Sequence, residues 1–382
     1  GTVPRSRWLM RLAVFGILAG WTSHSMTNEL LNSALAFYFI FAIVHAVFPV
    51  WLQRMRGVKT SLWGAQLFPP LALVLVLIPI FKLANLSFAV WPFVLLVDLL
   101  AIALAALTAS LLPVLGVLLL TLAATGSLIS KIPADLTGLP ASFFLLGGFA
   151  AFFVVVSVWL VRKLKPSALA RGLNLNDDFS APENLAALLP AFSAILPFLL
   201  LIMATLRLPL ANPSPVFGVA LLLVVLLLGV TKLFRQNFMP VIGFACIAAL
   251  EATWQANRFD PNNPANSPTL ALTWYLIFYG LFALFPFLFL KQFRDKVAPW
   301  AAAALVGLPQ FLLVYRLVKV AWPNEMMGLI PAAFAIPPLL ALVVVLKQIP
   351  SETKSRLTQL AIFGGVGLFF ITLIFPIQFE KQ

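Results

Sequence analysis

Apolar runs of membrane-spanning length dominate this sequence. A transmembrane helix needs about 20 consecutive, mostly apolar residues, and windows of that length predict thirteen spans. The predicted spans are residues 8–23, 30–52, 63–81, 87–108, 110–130, 141–161, 185–206, 215–231, 238–256, 270–290, 298–318, 327–346 and 357–378. Only 10% of the residues are charged, whereas soluble proteins have roughly 25%. The sequence therefore predicts an all-α, polytopic integral membrane protein and excludes a soluble enzyme and a nucleic-acid-binding module.

The distribution of lysine and arginine predicts the orientation of the spans, because cationic residues collect in cytoplasmic loops. With the N-terminus inside, alternate loops place 18 of the 25 cations on the inner side and seven on the outer side. The outer cations are Lys82, Lys131, Arg207, Arg258, Arg316, Lys319 and Lys381. We therefore predict about thirteen helices with the N-terminus in and the C-terminus out. The net charge of +13 follows from this topology and does not indicate a nucleic-acid partner.

An internal repeat is visible when the chain is shifted by 237 residues. Residues 34–84 then align with residues 271–321 without gaps, and 15 of the 51 positions are identical. The identities include Tyr38 with Tyr275, Trp63 with Trp300, and Lys82 with Lys319. A weaker middle copy aligns residues 50–52 with residues 158–160. Because an even number of spans keeps successive copies in the same orientation, we predict tandem parallel repeats of four helices.

The repeats predict the organisation of the chain as a single membrane domain over residues 1–382. Repeat 1 covers residues 30–130, repeat 2 covers 141–256 and repeat 3 covers 270–378. The span at residues 8–23 is then left over, and its natural interpretation is the last helix of a repeat lying upstream. We therefore expect the sequence to be a fragment of a longer protein.

Two short motifs carry a resemblance to a known family. Residues 375–382, Phe-Pro-Ile-Gln-Phe-Glu-Lys-Gln, and residues 250–254, Leu-Glu-Ala-Thr-Trp, resemble segments of the large bacterial "predicted membrane protein" family of unknown function. Members of that family carry many tandem helices, and a Trp and a further helix follow the first motif there, whereas this sequence stops before them. The resemblance implies a multi-pass protein of the bacterial cytoplasmic (inner) membrane. It implies no catalytic residues.

Two acidic residues lie at predicted membrane depth, where a buried charge is costly and therefore a candidate for function. Asp98 lies near the middle of its span. It is either a proton or cation site inside the bundle or a protonated acid that hydrogen-bonds a neighbouring helix. Glu251 shares one helical face with Trp254 and Arg258, because the spacings are three and four residues. That face either lines an outer pocket with an acid at its base or anchors the helix at the interface.

Three outer cations, Lys82, Arg207 and Lys319, occupy equivalent positions at the end of the second helix of each repeat. One interpretation is that these side chains extend along the helix end to reach the polar interface, as lysine and arginine commonly do. The other is a set of outward-facing cations that binds an anionic lipid headgroup. The sequence alone does not choose between the two.

The sequence contains no pattern typical of a cofactor or metal site. There is one cysteine, Cys246, and the two histidines, His24 and His45, have no partner at ligand spacing. Phosphate-binding glycine loops and nucleophile motifs are also absent from the sequence. We therefore predict no catalytic residue, no cofactor and no metal. The expected partners are membrane lipids, and other membrane subunits or the remainder of a longer chain.

Three functional classes remain open. The favoured class is a transporter or flippase for a lipidic or amphipathic envelope substrate, which Asp98 and the proline-interrupted helices support. The second is a structural or accessory subunit of a membrane complex, which the scarcity of polar residues and long loops supports. The third is a membrane-embedded transferase acting on a lipid-linked substrate, with Glu29 or Glu251 as its acid.

Overall fold

Helices make up 83% of the computed structural model of the protein, and the part of the chain that it describes contains no strand. The described residues are 3–56, 63–83, 87–108, 110–164, 182–234, 236–263, 265–323 and 326–379. Helix contacts divide the chain into two compact units, Gly1–Pro166 and Ser167–Gln382. This boundary falls inside the predicted second repeat, and the bounds of the repeats remain predictions. Outer and inner ends of helices are named by the predicted orientation.

The first unit is built around one central helix. Its helices are α1 (Val3–Ser25), α2 (Leu31–Arg56), α3 (Trp63–Gln66), α4 (Phe68–Lys82), α5 (Val90–Thr108), α6 (Leu112–Ser130) and α7 (Leu139–Leu164). α4 packs against α1, α2, α5 and α6, and its buried side chains include Leu73, Val76 and Ile80. α6 packs in turn on α5 and α7.

The second unit has α10 at its centre. Its helices are α8 (Pro182–Arg207), α9 (Ser214–Phe234), α10 (Met239–Asn257), α11 (Pro268–Leu288), α12 (Leu290–Phe293), α13 (Ala298–Leu305), α14 (Gly307–Ala321), α15 (Leu329–Gln348) and α16 (Arg356–Phe379). α10 contacts α8, α9, α11, α13 and α14, and α15 and α16 form a closely packed hairpin. α10 thus holds Glu251 in the interior of this unit.

Prolines interrupt the second helix of two predicted repeats. Proline cannot donate a backbone hydrogen bond to the carbonyl four residues earlier. Pro69 and Pro70 follow the break at Leu67 between α3 and α4, and Pro309 follows the break at Val306 between α13 and α14. Both copies therefore consist of a short inner helix followed by a 15-residue outer helix.

Within the described ranges, eleven helical segments are long and apolar enough to cross a membrane, with α13 and α14 counted as one. This agrees with an all-α, multi-pass membrane protein. The other two predicted spans, residues 8–23 and 63–81, correspond to α1 and to the interrupted pair α3 and α4. α1 is not among the eleven, and α4 alone has 15 residues. The count of thirteen and the orientation therefore remain predictions.

The close approach of α4 and α6 predicts a cost for adding one methyl group. A Cβ atom at Gly116 would lie 2.9 Å from Cγ of Pro70, whose ring is stiff. We expect Gly116→Ala to lower the free energy of unfolding by about 1–2 kcal/mol through overpacking. Gly148→Ala on α7 is the matched control, since nothing lies within 4 Å of the added Cβ there. Thermal unfolding of the purified proteins in detergent measures the difference. Equal melting temperatures of the two variants would contradict this expectation.

Candidate functional site

A buried polar cluster lies between three helices of the second unit. It consists of Glu251 on α10, Tyr275 on α11 and Gln310 on α14, and at most 1% of each residue is exposed. The Gln310 Nε2 atom donates a hydrogen bond to Glu251 Oε2. Glu251 Oε1, Gln310 Oε1 and the Tyr275 hydroxyl oxygen lack a partner among the described residues. Because buried polar atoms are normally satisfied, these three open positions mark the cluster as a candidate site.

The residues that follow Glu251 along α10 fix this helix to α8. The Trp254 side chain is fully buried, and its Nε1 atom donates to the Leu210 carbonyl oxygen at 2.8 Å. Arg258 donates to the carbonyl oxygens of Thr205, at 2.7 Å from its Nε atom, and of Leu206. Trp254 and Arg258 thus hold the outer end of α8 in place, whereas Glu251 bonds Gln310 on α14. The shared face of the three residues remains a prediction from their spacing.

An outer pocket of about 320 Å³ lies between α10 and α14. Its lining includes Arg316 and Lys319 on α14, and both side chains are exposed. Gln255 also lines it, and the Gln255 Nε2 atom donates to the Leu313 carbonyl oxygen at 2.9 Å. The lining begins at Ala252 and Leu313, one residue after Glu251 and three after Gln310, so the pocket adjoins the outer side of the buried cluster. The outer pocket and the cluster thus share one helix pair.

The other predicted acid, Asp98, lies in the first unit and is fully buried. The Thr121 hydroxyl on α6 lies 3.1 Å from each of the two carboxyl oxygens and donates to them. Both oxygens of Asp98 therefore have a partner on the neighbouring helix. This geometry matches the interhelical hydrogen bond that the sequence offered as one of two interpretations.

Several outer cations bind the carbonyl oxygens at the ends of neighbouring helices. Lys82 Nζ donates to Ser23 and His24 at the end of α1, at 2.9 and 3.1 Å. Lys131 Nζ donates to three carbonyls at the end of α4, of which Ile80 is at 2.5 Å. Burial lowers the pKa of the Lys131 ammonium. Cations at helix C-termini are stabilised by the unpaired carbonyls and by the helix dipole.

The three cations predicted to be equivalent therefore differ in their surroundings. Lys82 binds the end of α1, and Arg207 is exposed at the last residue of α8. Lys319 lies over the Tyr315 ring, 5.6 Å from its centroid, and lines the outer pocket. Within the second unit, the pocket is formed by Lys319 together with Arg316, which the sequence did not single out.

An apolar cavity of about 550 Å³ occupies the inner half of the second unit, between α11, α13, α15 and α16. Its lining is mainly aliphatic and aromatic and includes Phe287, Ala303, Pro338 and Phe363. Tyr279 and Gln348 are the polar members of the lining. A cavity of this size and character suits a hydrocarbon chain.

Together these features define a multi-pass membrane protein with a buried acid beneath a cationic pocket. The chain matches no family model, no curated protein and no solved structure. Among the described residues, no group of three or more His, Cys, Asp or Glu side chains could hold a metal ion. The resemblance in residues 250–254 and 375–382 therefore remains an expectation from the sequence.

Sequence reasoning did not identify two of the three residues of the buried cluster as site residues. Tyr275 stands out in the sequence only as a repeat identity with Tyr38, and Gln310 belongs to no motif described above. A signal was present for Gln310, because it is an amide within the largely apolar α14 and shares a helical face with the buried Leu313 and Leu317. An amide on the buried face of a membrane helix requires a polar partner on another helix.

Proposed function

We propose that this protein binds and translocates an anionic amphipathic lipid in the bacterial cytoplasmic membrane. The observation that supports this proposal most is the outer pocket, in which Arg316 and Lys319 lie beside small and apolar side chains such as Ala252 and Ala256. None of the described residues that line the pocket is acidic. Such a surface favours a phosphate-bearing headgroup attached to an apolar body.

The apolar cavity of the same unit supports a lipid rather than a soluble anion. Soluble anions need only the cationic pocket, whereas an amphipathic substrate also needs an apolar site for its hydrocarbon part. The cavity lies toward the inner side and the cationic pocket toward the outer side of the second unit. The two sites together offer room for a charged headgroup and for a hydrocarbon chain.

A second candidate function is that of a structural subunit, and the first unit favours it. The Thr121 hydroxyl shares its one hydrogen between the two carboxyl oxygens of Asp98, and Lys82 and Lys131 bind helix ends. These polar groups hold helices together. Of the two acids predicted for a membrane-embedded transferase, Glu251 has no exposed surface on which a lipid-linked substrate could bind, whereas Glu29 is exposed in the turn before α2.

Lipid translocation in liposomes tests the proposal. The full chain would be reconstituted with fluorescent phosphatidylglycerol, and its movement would be followed by quenching of the outer leaflet. We expect the double variant Arg316→Gln and Lys319→Gln to slow translocation at least about tenfold, since two charge-assisted contacts worth about 1 kcal/mol each are lost. Fluorescent phosphatidylcholine, which has no net charge, should move more slowly than phosphatidylglycerol.

The matched control removes two exposed cations on the inner side, in the double variant Lys347→Gln and Lys354→Gln. It changes the net charge equally, and it should leave the translocation rate unchanged. If both double variants translocate phosphatidylglycerol at the rate of the unaltered protein, the outer pocket does not bind the headgroup. If the unaltered protein moves no lipid, the structural alternative is favoured.

A further inference from the structure

The Glu251 cluster has fewer hydrogen-bond donors than acceptors. Gln310 Nε2 supplies one donor to Glu251 Oε2, but Glu251 Oε1 and Gln310 Oε1 are oxygens without a partner among the described residues. Carboxylate and amide oxygens only accept hydrogen bonds, whereas the Tyr275 hydroxyl both donates and accepts. The two open acceptors and the unpaired Tyr275 hydroxyl leave the cluster one donor short, so a single added proton on Glu251 would convert an acceptor into the missing donor.

A neutralising cation is also missing from this cluster. Within the described part of the chain, the structure gives Glu251 no ion-pair partner, and a lone buried carboxylate is strongly disfavoured. A hard metal ion would need about six to eight oxygen ligands. The three open oxygens of the cluster are too few for that, whereas one proton is sufficient.

We propose that Glu251 is a proton-exchange site that exchanges with the outer pocket. Gln310 is its hydrogen-bond partner, and the Tyr275 hydroxyl, which has no partner among the described residues, accepts a hydrogen bond from the protonated acid. The proton is delivered by a hydronium ion in the pocket. An O–H bond forms at Glu251 Oε1, and a water molecule remains behind. Release to the outer side is the reverse of this step. No oxidant, reductant or other reactant is involved.

Charged and titratable groups lie on several of the helices that pack against α10. Tyr275 on α11 is in electrostatic contact with the Glu251 carboxyl. α13 carries no charged residue. Among the side chains that the structure describes, the other charged or titratable groups on these helices or at their ends are Arg207, Lys232, Cys246, Arg258, Tyr279, Tyr315, Arg316 and Lys319. The sequence of α8 also contains Glu183. Of the cations, Lys232 lies at the inner end of α9 and the others lie at outer ends, on the pocket side of Glu251.

The position of the site links it to the outer pocket. An anion bound at Arg316 and Lys319 offsets their positive charge, and this favours the protonated form of Glu251 on the inner side of the pocket. By reciprocity, protonation of Glu251 strengthens binding of the anion. This linkage rests on the proposed function, whereas the proton-exchange site itself does not.

Infrared difference spectra between acidic and alkaline buffer test the site directly, with the full chain in lipid nanodiscs and no added ligand. We expect a pH-dependent carbonyl band of a protonated carboxyl that disappears in Glu251→Gln. The matched control is Asp98→Asn, which removes another buried carboxyl and should leave that band in place. Tyr275→Phe keeps the carboxyl and the ring, and should shift the band because one hydrogen-bond partner is lost.

These spectra also provide the outcome that would overturn the proposal. A band that persists unchanged in both Glu251→Gln and Tyr275→Phe shows that Glu251 exchanges no proton. If Glu251→Gln fails to fold, Tyr275→Phe decides alone, since a band that keeps its frequency there contradicts the proposed partner.

Calorimetric titration with dihexanoyl phosphatidylglycerol tests the linkage, in two buffers that differ in ionisation enthalpy. The unaltered protein should take up a fraction of a proton per lipid bound, and Glu251→Gln should take up none. Equal uptake by both proteins would overturn the linkage. If the unaltered protein binds no phosphatidylglycerol, the proposed function fails, and the infrared result still decides whether Glu251 exchanges a proton.

Discussion

Replacing Trp254 with alanine is expected to lower the free energy of unfolding by about 3–5 kcal/mol, the range for large-to-small changes in a packed core. The indole is fully buried and its ring lies 5.8 Å from that of Phe217, centroid to centroid. Its Nε1 atom also satisfies the Leu210 carbonyl oxygen. The variant therefore loses packing and a hydrogen bond at once. Thermal or denaturant unfolding of the purified protein in detergent measures the loss.

Two comparisons make this expectation specific. Trp322→Ala removes an indole that is 41% exposed, and it should change the stability by less than about 1 kcal/mol. Trp254→Phe keeps most of the ring but leaves the Leu210 carbonyl without its donor, which should cost about 1–3 kcal/mol. A Trp254→Ala protein as stable as Trp322→Ala would show that the indole is not packed in this way.

Replacing Thr121 with valine is expected to cost about 3 kcal/mol, because both oxygens of a fully buried carboxyl group lose their donor. Valine has nearly the shape of threonine, so packing between α5 and α6 is retained and the missing hydroxyl accounts for the loss. The same unfolding measurement applies. Adding Asp98→Leu should recover part of the stability, since replacing both partners by apolar groups leaves no unsatisfied atom.

A matched threonine provides the control for this variant. The hydroxyl of Thr273 is exposed and donates within its own helix, to the Thr269 carbonyl oxygen. Thr273→Val should change the stability by less than about 0.5 kcal/mol. If Thr121→Val is equally harmless, Asp98 does not depend on the Thr121 hydroxyl.

The candidate acids were predictable, and their partners were not. Asp98 and Glu251 stand out because a carboxyl within an apolar span is rare. Thr121 is 23 residues from Asp98, and Gln310 is 59 residues from Glu251. Thr and Gln are common, and nothing in the local pattern states which helix faces which. The pairing depends on how separate helices pack.

Trp254 and Arg258 illustrate the same difference. Their spacing from Glu251 predicts that all three share one helical face, because helical periodicity is local. The sequence offered two interpretations of that face, an interfacial anchor or a pocket lining. The structure instead buries Trp254 against Leu210 and directs Arg258 to the end of α8. Only the position of a helix distant in sequence distinguishes these cases.

By itself, the sequence determined that the chain is helical and multi-pass, since spans of about 20 apolar residues satisfy their backbone only as helices in a membrane. The tertiary structure alone decided which face of each helix is buried. Lipid is as apolar as a packed core, so Phe144 and Phe153 on α7 look alike in sequence although one is 76% exposed and the other 1%. For the same reason, only the packing of α10, α11 and α14 reveals the Glu251 cluster and the pocket above it.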